Sequence, residues 1–122
     1  KTDLVEILLA CCNKSLNQIK FDWLDKKSLC VVVCSNGYPD EYKKNIEIEN
    51  LNSIDLEVND YLFHAGTEKK NEVILAIGGR VLNFVSLSDD FNKAKTKIMK
   101  NLNKLNWQGG FYRKDIGYKV ID

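Results

Sequence analysis

Residues 73–87 read VILAIGGRVLNFVSL, two apolar runs separated by Gly78-Gly79-Arg80. Runs rich in Val, Ile and Leu on both sides of a glycine pair are typical of two strands, and glycine readily takes the positive φ angles that short turns need. The stretch therefore predicts a β-hairpin. A second interpretation is an anion site, because glycines let backbone N–H groups approach a phosphate and the arginine adds a forked positive charge.

The segments around this stretch predict further strands. Alternating or continuous apolar patterns indicate strands over residues 20–25, 28–34, 45–49, 60–64 and 72–77. We expect the first two strands to pair across Asp25-Lys26-Lys27, and the polar residues 66–71 to form a loop between the last two. Residues 51–60 fit a poorly formed helix or a loop, and residues 107–117 show neither helical nor strand periodicity.

Two helices are predicted, one on each side of these strands. Apolar positions spaced by three and four from Phe91 to about Leu105 indicate an amphipathic helix with Ser88 as its N-cap. Residues 1–13 indicate a shorter helix, with Thr2 or Asp3 as N-cap and a wide face to be buried. The order of elements predicts an α+β fold, a small antiparallel or mixed sheet with helices packed on one side, as a single domain over residues 1–122.

Composition and charge argue against several classes of protein. A formal net charge of +1, and no stretch that concentrates lysine with aromatic residues, predict no nucleic-acid partner. The apolar runs are too short to cross a bilayer and nothing at the start resembles a signal peptide, so we expect no membrane partner and a cytoplasmic location. The spacing of the cysteines is not typical of a metal site, and we predict four small core residues in a reducing compartment: Cys11, Cys12, Cys30 and Cys34.

The scarce residue types cluster along the chain. All seven glycines lie in five places, and the only two arginines, Arg80 and Arg113, stand beside glycine-bearing motifs in a chain with sixteen lysines. The planar fork of arginine binds carboxylate or phosphate bidentately, whereas lysine is a point charge. The coincidence favours an anion site at Gly78-Gly79-Arg80, although chance and ordinary turns explain the same residues.

The sequence contains no complete catalytic motif. It has no GxSxG, no Walker A pattern and no GxGxxG, so no residue is predicted to be catalytic. His64 is the sole histidine and the sequence names no partner for it, so we expect a structural role or a substrate contact. The chain opens with Lys1-Thr2-Asp3-Leu4, without methionine and directly into a helix signal, from which we expect a fragment of a longer polypeptide.

Five motifs in a fixed order carry a family resemblance. KTDLVEILLA, SNGYPDEY, FHAGT, GGRVL and GGFYRKDIG resemble the C-terminal part of the phosphoribosylamine-glycine ligases, also called glycinamide ribonucleotide synthetases, across essentially all 122 residues. The resemblance implies an ATP-grasp enzyme of purine biosynthesis that joins glycine to 5-phosphoribosylamine through a glycyl phosphate. It implies ATP and Mg²⁺ as cofactors, bound mainly by upstream regions and not by this fragment, which we expect to be inactive alone.

The resemblance also assigns a place to this domain. It implies a unit that packs against the upstream N-terminal and ATP-grasp domains and closes one side of the active-site cleft. Our hypothesis is that it helps to bind phosphoribosylamine, with Arg80 on the 5-phosphate, and with Gly78, Gly79, His64, Gly66 and Thr67. The matches at Ser35, Gly37, Tyr38, Arg113 and Asp115 predict substrate contacts or structural roles. The alternative is a non-catalytic α+β interaction module whose glycine motifs are only turns.

Overall fold

The structure is a computed structural model and describes residues 1–121. Two helices and seven strands follow one another as α1 (Leu4–Cys12), β1 (Lys27–Ser35), β2 (Ile46–Glu47), β3 (Asp60–His64), β4 (Thr67–Lys70), β5 (Val73–Ala76), β6 (Arg80–Ser88), α2 (Phe91–Leu105) and β7 (Gly110–Tyr112), with 3-10 turns at Leu16–Gln18 and Leu51–Ser53. The predicted α+β class is confirmed, and every strand pairing is antiparallel. None of the described helices is long and apolar enough to span a membrane.

The strands form two sheets. One has four strands in the order β3-β6-β1-β7, and the other has three in the order β2-β5-β4. Helix α2 packs on one face of the four-stranded sheet, where its apolar stripe meets alternate residues of β1 and β6. Burial of these side chains is the main source of stability in a domain of this size, and the fully buried positions include Val31, Leu82, Phe84, Ala94 and Ile98.

Helix α2 has the predicted bounds but a different N-cap. The Asp90 carboxylate accepts the Lys93 N–H at 2.7 Å, whereas the predicted cap, Ser88, is the last residue of β6. Asp90 directly precedes the first helical residue, so only its side chain can reach the free N–H groups of the first turn. The helix ends at Leu105, and its C-cap Asn106 takes the left-handed conformation with φ of 40°.

The predicted hairpin at Gly78-Gly79 is wrong. Strand β5 pairs with β4 and β2 in the three-stranded sheet, while β6 pairs with β1 and β3 in the other, so the glycine pair joins two sheets. The hairpin is β4–β5, and its turn is made by Asn71 and Glu72, both at positive φ (48° and 65°). The stretch predicted as a loop, residues 66–71, therefore contains strand β4.

Two further strand predictions are wrong. Residues 20–25 form no strand, because their backbone is tied to the start of the chain: Asp22 N–H donates to Thr2 Oγ1 at 2.7 Å and Thr2 N–H donates to Asp22 O at 3.2 Å. Strand β1 pairs instead with β6 and β7. The prediction of no regular structure over 107–117 missed β7, whose three residues are too few to show a period.

The burial predicted for α1 and for the cysteines is also corrected. Ala10 is the only buried residue of α1, so its wide apolar face is exposed in this chain. Cys11 and Cys12 are exposed with it, and Cys30 and Cys34 lie on the face of β1 that points away from α2, exposed and half-buried respectively. All four thiols are free, and none is a fully buried core residue.

Candidate functional site

Two of the glycine motifs meet backbone to backbone where the chain passes from one sheet to the other. Gly66 N–H donates to Arg80 O at 2.9 Å, and the N–H groups of Ile77 and Gly78 both donate to Gly66 O, at 2.9 and 3.1 Å. A Cβ atom on Gly66 would lie 2.6 Å from Gly78 Cα, a distance that no real side chain tolerates. The AGT and GGR motifs therefore form one rigid crossing, and its glycines serve close approach rather than positive φ.

The Ser-x-Gly-Tyr-Pro motif closes over this crossing. Ser35 donates twice, from Oγ to Gly78 O at 2.8 Å and from its N–H to Gly79 O at 2.8 Å. The ring of Tyr38 occupies the space where a side chain of Gly79 would lie. Gly37 takes φ of +98°, and the Tyr38–Pro39 peptide bond is cis. Ser35, Gly37 and Tyr38 thus hold the sheet connection in place from the other side.

Asn36 connects a fourth motif, residues 107–110, to these three, although no role was predicted for Asn36 from the sequence. Its N–H donates to Gly109 O at 3.0 Å and its Nδ2 donates to Gln108 O at 2.8 Å. The indole of Trp107 lies against Gly109 and Gly110 and donates from Nε1 to Glu47 O at 2.7 Å. Four motifs that are far apart in sequence therefore meet at one end of the four-stranded sheet.

Arg80 stands at the edge of this cluster. It begins β6, pairs across the sheet with Cys34, and is exposed. Burial raises the pKa of the Cys34 thiol, and the positive charge of Arg80 partly offsets this rise. Within residues 1–121 the guanidinium forms no ion pair with a carboxylate. Its charge is available to an anion from outside these residues.

The backbone donors next to Arg80 are not equivalent. Gly78 N–H is taken by Gly66 O and Thr67 N–H by Ala65 O, at 3.1 and 2.8 Å. Gly79 N–H donates to no acceptor among the residues that the structure describes. Gly79 is buried beneath Tyr38, so the exposed hydrogen-bond donor of this stretch is the guanidinium of Arg80.

His64 lies beside the same crossing. It ends β3, is exposed, and its Nδ1 lies 3.1 Å from Thr67 Oγ1. The histidine is therefore not a core residue, and its second ring nitrogen has no hydrogen-bond partner in the described part of the chain. Imidazole and hydroxyl together can donate to or accept from a small polar ligand.

Arg113 and Asp115 form a separate pair. Nε and Nη2 of Arg113 donate to the two carboxylate oxygens of Asp115 at 3.0 and 2.6 Å, and both side chains are exposed. This bidentate contact holds the pKa of Asp115 below its usual value. The arginine that the sequence grouped with Arg80 is thus engaged locally, two residues along its own chain.

An open cleft of about 530 Å³ lies beside the cluster. It is lined by Asn36, Glu41, Tyr42, Lys43, Ile46 and Gly109, and neither Arg80 nor His64 lines it. None of these residues was predicted from the sequence to belong to a site, although the charged and aromatic run that follows Pro39 is a signal for them. No group of three or more His, Cys, Asp or Glu residues within 1–121 could hold a metal ion.

The structure is an α+β domain in which the glycine-containing motifs pack together beside Arg80, an arginine that forms no ion pair within residues 1–121. The family described as "Phosphoribosylglycinamide synthetase, C domain" matches residues 28–119, and the chain belongs to this family. The match confirms the resemblance carried by the five sequence motifs.

Known relatives agree with the family assignment. A phosphoribosylamine–glycine ligase of Caldanaerobacter subterraneus is 40% identical over 116 residues, which are 95% of this chain and 27% of that protein. The chloroplastic phosphoribosylamine–glycine ligase of Arabidopsis thaliana is 36% identical over 99% of this chain and 23% of its own length. The crystal structure of phosphoribosylamine–glycine ligase from Thermotoga maritima has a TM-score of 0.66 at 25% identity, over 92% of this chain and 28% of that one. The chain thus spans roughly a quarter of the length of the relatives it matches.

Proposed function

We propose that this chain is the C-terminal part of an ATP-dependent ligase that joins glycine to 5-phosphoribosylamine in purine biosynthesis, giving glycinamide ribonucleotide. The observation that carries the proposal is the family match over residues 28–119, together with relatives of this name that align with 95% or more of the chain. The four free thiols fit a reducing compartment such as the cytoplasm.

The chemistry of the reaction indicates which step each domain of the enzyme supports. A carboxylate is a poor electrophile, so ATP must first convert glycine to glycyl phosphate, with Mg²⁺ offsetting charge on the transferred group. We assign ATP, Mg²⁺ and this activation step to the upstream N-terminal and ATP-grasp domains. The present domain then closes the cleft and helps to hold phosphoribosylamine.

Arg80 is the residue that we assign to the 5-phosphate of phosphoribosylamine. Support comes from its exposure and from its lack of an ion pair within residues 1–121. The planar fork of a guanidinium can donate to two phosphate oxygens at once. His64 and Thr67 are assigned to a polar part of the same substrate, because their side chains meet beside the crossing at 3.1 Å.

The remaining residues position these groups. Gly66 and Gly78 form the crossing itself, and Ser35 fixes it by donating to Gly78 O and Gly79 O. Tyr38 covers Gly79, and Gly37 turns the chain toward it. We assign a structural role to Arg113 and Asp115, since each satisfies the other.

The test is an assay of the longer polypeptide. Formation of glycinamide ribonucleotide, ADP and phosphate should require ATP, glycine and phosphoribosylamine together. The 122-residue chain alone should neither form this product nor bind ATP tightly. Turnover by the isolated chain would contradict the proposal, as would a coding frame without nucleotide-binding and metal-binding motifs upstream, which would instead indicate an interaction module.

A further inference from the structure

His64 and Thr67 bring an imidazole and a hydroxyl together beside the crossing between the sheets. Nδ1 of His64 lies 3.1 Å from Thr67 Oγ1, and the imidazole is exposed at the end of β3. No carboxylate within residues 1–121 forms an ion pair with His64. In the tautomer whose Nδ1–H donates to Thr67 Oγ1, Nε2 carries a lone pair and can accept a proton from a ligand.

The turn between these two residues is tied to strand β6. Ala65 N–H donates to Val81 O at 2.9 Å. Gly66 N–H donates to Arg80 O, also at 2.9 Å. Thr67 N–H donates to Ala65 O at 2.8 Å, which closes the turn. The imidazole and the hydroxyl are therefore held in place before any ligand binds, and such positioning is what a proton transfer requires.

The separation between His64 and Arg80 suits the shape of phosphoribosylamine. His64 pairs with Leu82 across β3 and β6, and Arg80 lies two residues before Leu82. Since a strand rises about 3.3 Å per residue and adjacent strands lie about 5 Å apart, the Cα atoms of His64 and Arg80 are roughly 8 Å apart. In phosphoribosylamine the ribose separates the amine from the 5-phosphate by a comparable length. A substrate with its phosphate on Arg80 can therefore bring its amine to the imidazole.

We propose that His64 is a catalytic residue that accepts the proton of the attacking amine, and that Thr67 is a positioning residue that orients its imidazole. The proposal rests on the proposed function for the reaction itself. The amine nitrogen forms a bond to the carbonyl carbon of glycyl phosphate, the bond from that carbon to the phosphate oxygen breaks, and phosphate leaves with the electron pair. The nitrogen becomes positively charged as it attacks and releases one proton to Nε2 of His64. The imidazolium then returns this proton to solvent.

The test compares two acceptors of the glycyl group in the longer polypeptide. His64→Asn retains an amide nitrogen where Nδ1 donates to Thr67 but removes the proton acceptor. With phosphoribosylamine, kcat should fall by about a hundredfold or more, while KM for this substrate stays within about threefold. With hydroxylamine instead, which traps glycyl phosphate as a hydroxamate and loses its proton to water, the rate should stay within about twofold. Equal losses with the two acceptors would overturn the proposal, because His64 would then serve the activation step or the fold.

Glu68→Gln is the matched control. Glu68 follows Thr67 in β4, is exposed, and is the carboxylate next to this pair in the sequence. Its kcat should stay within about twofold of that of the unchanged enzyme, and the melting temperature of His64→Asn should stay within about 2 °C, because both side chains are exposed. A kcat of His64→Asn within threefold of the unchanged value would refute the proton acceptor. So would an equal loss in Glu68→Gln.

The role of Thr67 has its own readout. Thr67→Ala should lower kcat by about tenfold, because the imidazole loses the contact that orients it, and Thr67→Ser should restore kcat to within about twofold. In the His64→Asn background, Thr67→Ala should cause no further loss, since Thr67 acts through the imidazole. The same loss in both backgrounds would show that Thr67 contacts the substrate independently, and its positioning role would be wrong.

The outcome can be separated from that of the proposed function. If the unchanged longer polypeptide forms glycinamide ribonucleotide and His64→Asn forms it at the same rate, the proton acceptor is refuted and the ligase is retained. If the unchanged longer polypeptide forms no glycinamide ribonucleotide, the ligase is refuted and the role of His64 with it.

Discussion

Gly66 and Gly78 lie in contact through their backbones, with a Cβ on either residue falling within 3.0 Å of the Cα of the other. Gly66 follows β3 in the four-stranded sheet, and Gly78 follows β5 in the three-stranded sheet. The contact therefore sets how the chain crosses between the sheets. It also places Arg80 at the start of β6, two residues beyond the crossing.

Gly66→Ala should destabilise the domain. The added methyl group would lie 2.6 Å from Gly78 Cα and 2.7 Å from Arg80 O, and backbone atoms cannot move aside as the end of a side chain can. We expect a loss of about 1–3 kcal/mol in the free energy of unfolding, measured by urea denaturation. Lys69→Ala, on the adjacent exposed strand, should change it by less than about 0.5 kcal/mol. Unchanged stability of Gly66→Ala would show that the crossing is loose.

Arg80→Ala should weaken the binding of phosphoribosylamine in the longer enzyme. A charge-assisted hydrogen bond contributes about 1.5–3 kcal/mol, which corresponds to an increase of roughly ten- to a hundredfold in KM for this substrate. KM for ATP and for glycine should stay within about twofold. Arg80→Lys should recover only part of the loss, because an ammonium lacks the planar fork. If KM for phosphoribosylamine does not change in Arg80→Ala, the assignment of Arg80 is wrong.

Arg113→Lys should affect stability and not substrate binding. The replacement removes the bidentate contact with Asp115 but retains the charge. Because both side chains are exposed, we expect only a small fall in the melting temperature, of about 1–3 °C, with KM for all three substrates intact. A rise in KM at unchanged melting temperature would instead make Arg113 a substrate contact.

Ser86 and Asp60 should be energetically coupled. Ser86 Oγ donates to Asp60 Oδ1 at 2.6 Å between β6 and β3, both residues are buried, and Oδ2 of Asp60 has no hydrogen-bond partner within residues 1–121. Ser86→Ala should lower the free energy of unfolding by about 1.5–3 kcal/mol, because it removes the hydroxyl that donates a hydrogen bond to a buried carboxylate. The same change should cost less in the Asp60→Asn background, which a double-mutant cycle in urea measures. Equal costs in both backgrounds would show no coupling.

Glu57 should contribute a pH-dependent part of the stability. Lys100, at 3.0 Å, and then Lys97, at 3.3 Å, hold the pKa of Glu57 below its ordinary value of 4.5. The stabilisation is therefore present above pH 4.5 and is lost as the pH falls through the lower pKa of the folded state. The melting temperature of Glu57→Gln should lie below that of the unchanged chain at pH 7, and the gap should close below pH 4. A constant gap across that range would contradict the assignment.

Strand and helix positions with a long, regular pattern could be predicted from the sequence. Helix α2 was predicted with its observed bounds, and β3 over residues 60–64 likewise, because their periods reflect a single buried face. The hairpin turn was misplaced, since Gly78-Gly79 is a stronger local turn signal than Asn71-Glu72. A glycine required for close contact cannot be told from one required for positive φ by local sequence.

The candidate site was predicted as a set of motifs but not as an arrangement. The motifs that contain Ser35, Gly66 and Gly78 were singled out by their glycines, and the structure brings them together. Asn36 was left without a role, although it links two of these motifs through Gly109 and Gln108. Arg113 was grouped with Arg80 because both are rare arginines beside glycine-bearing motifs, and its ion pair with Asp115 separates the two.

The sequence by itself determined the α+β class, the amphipathic helix and the family, because composition, period and motif order are local or additive properties of the chain. Only the tertiary structure decided that the glycine pair joins two sheets, that close contact with Gly66 rather than a turn requires a glycine at position 78, and that Tyr38 covers Gly79. The reason is that hydrogen-bond partners and close contacts between distant segments depend on how strands are paired. Pairing is set by the burial of the whole core, and no single stretch of sequence encodes it.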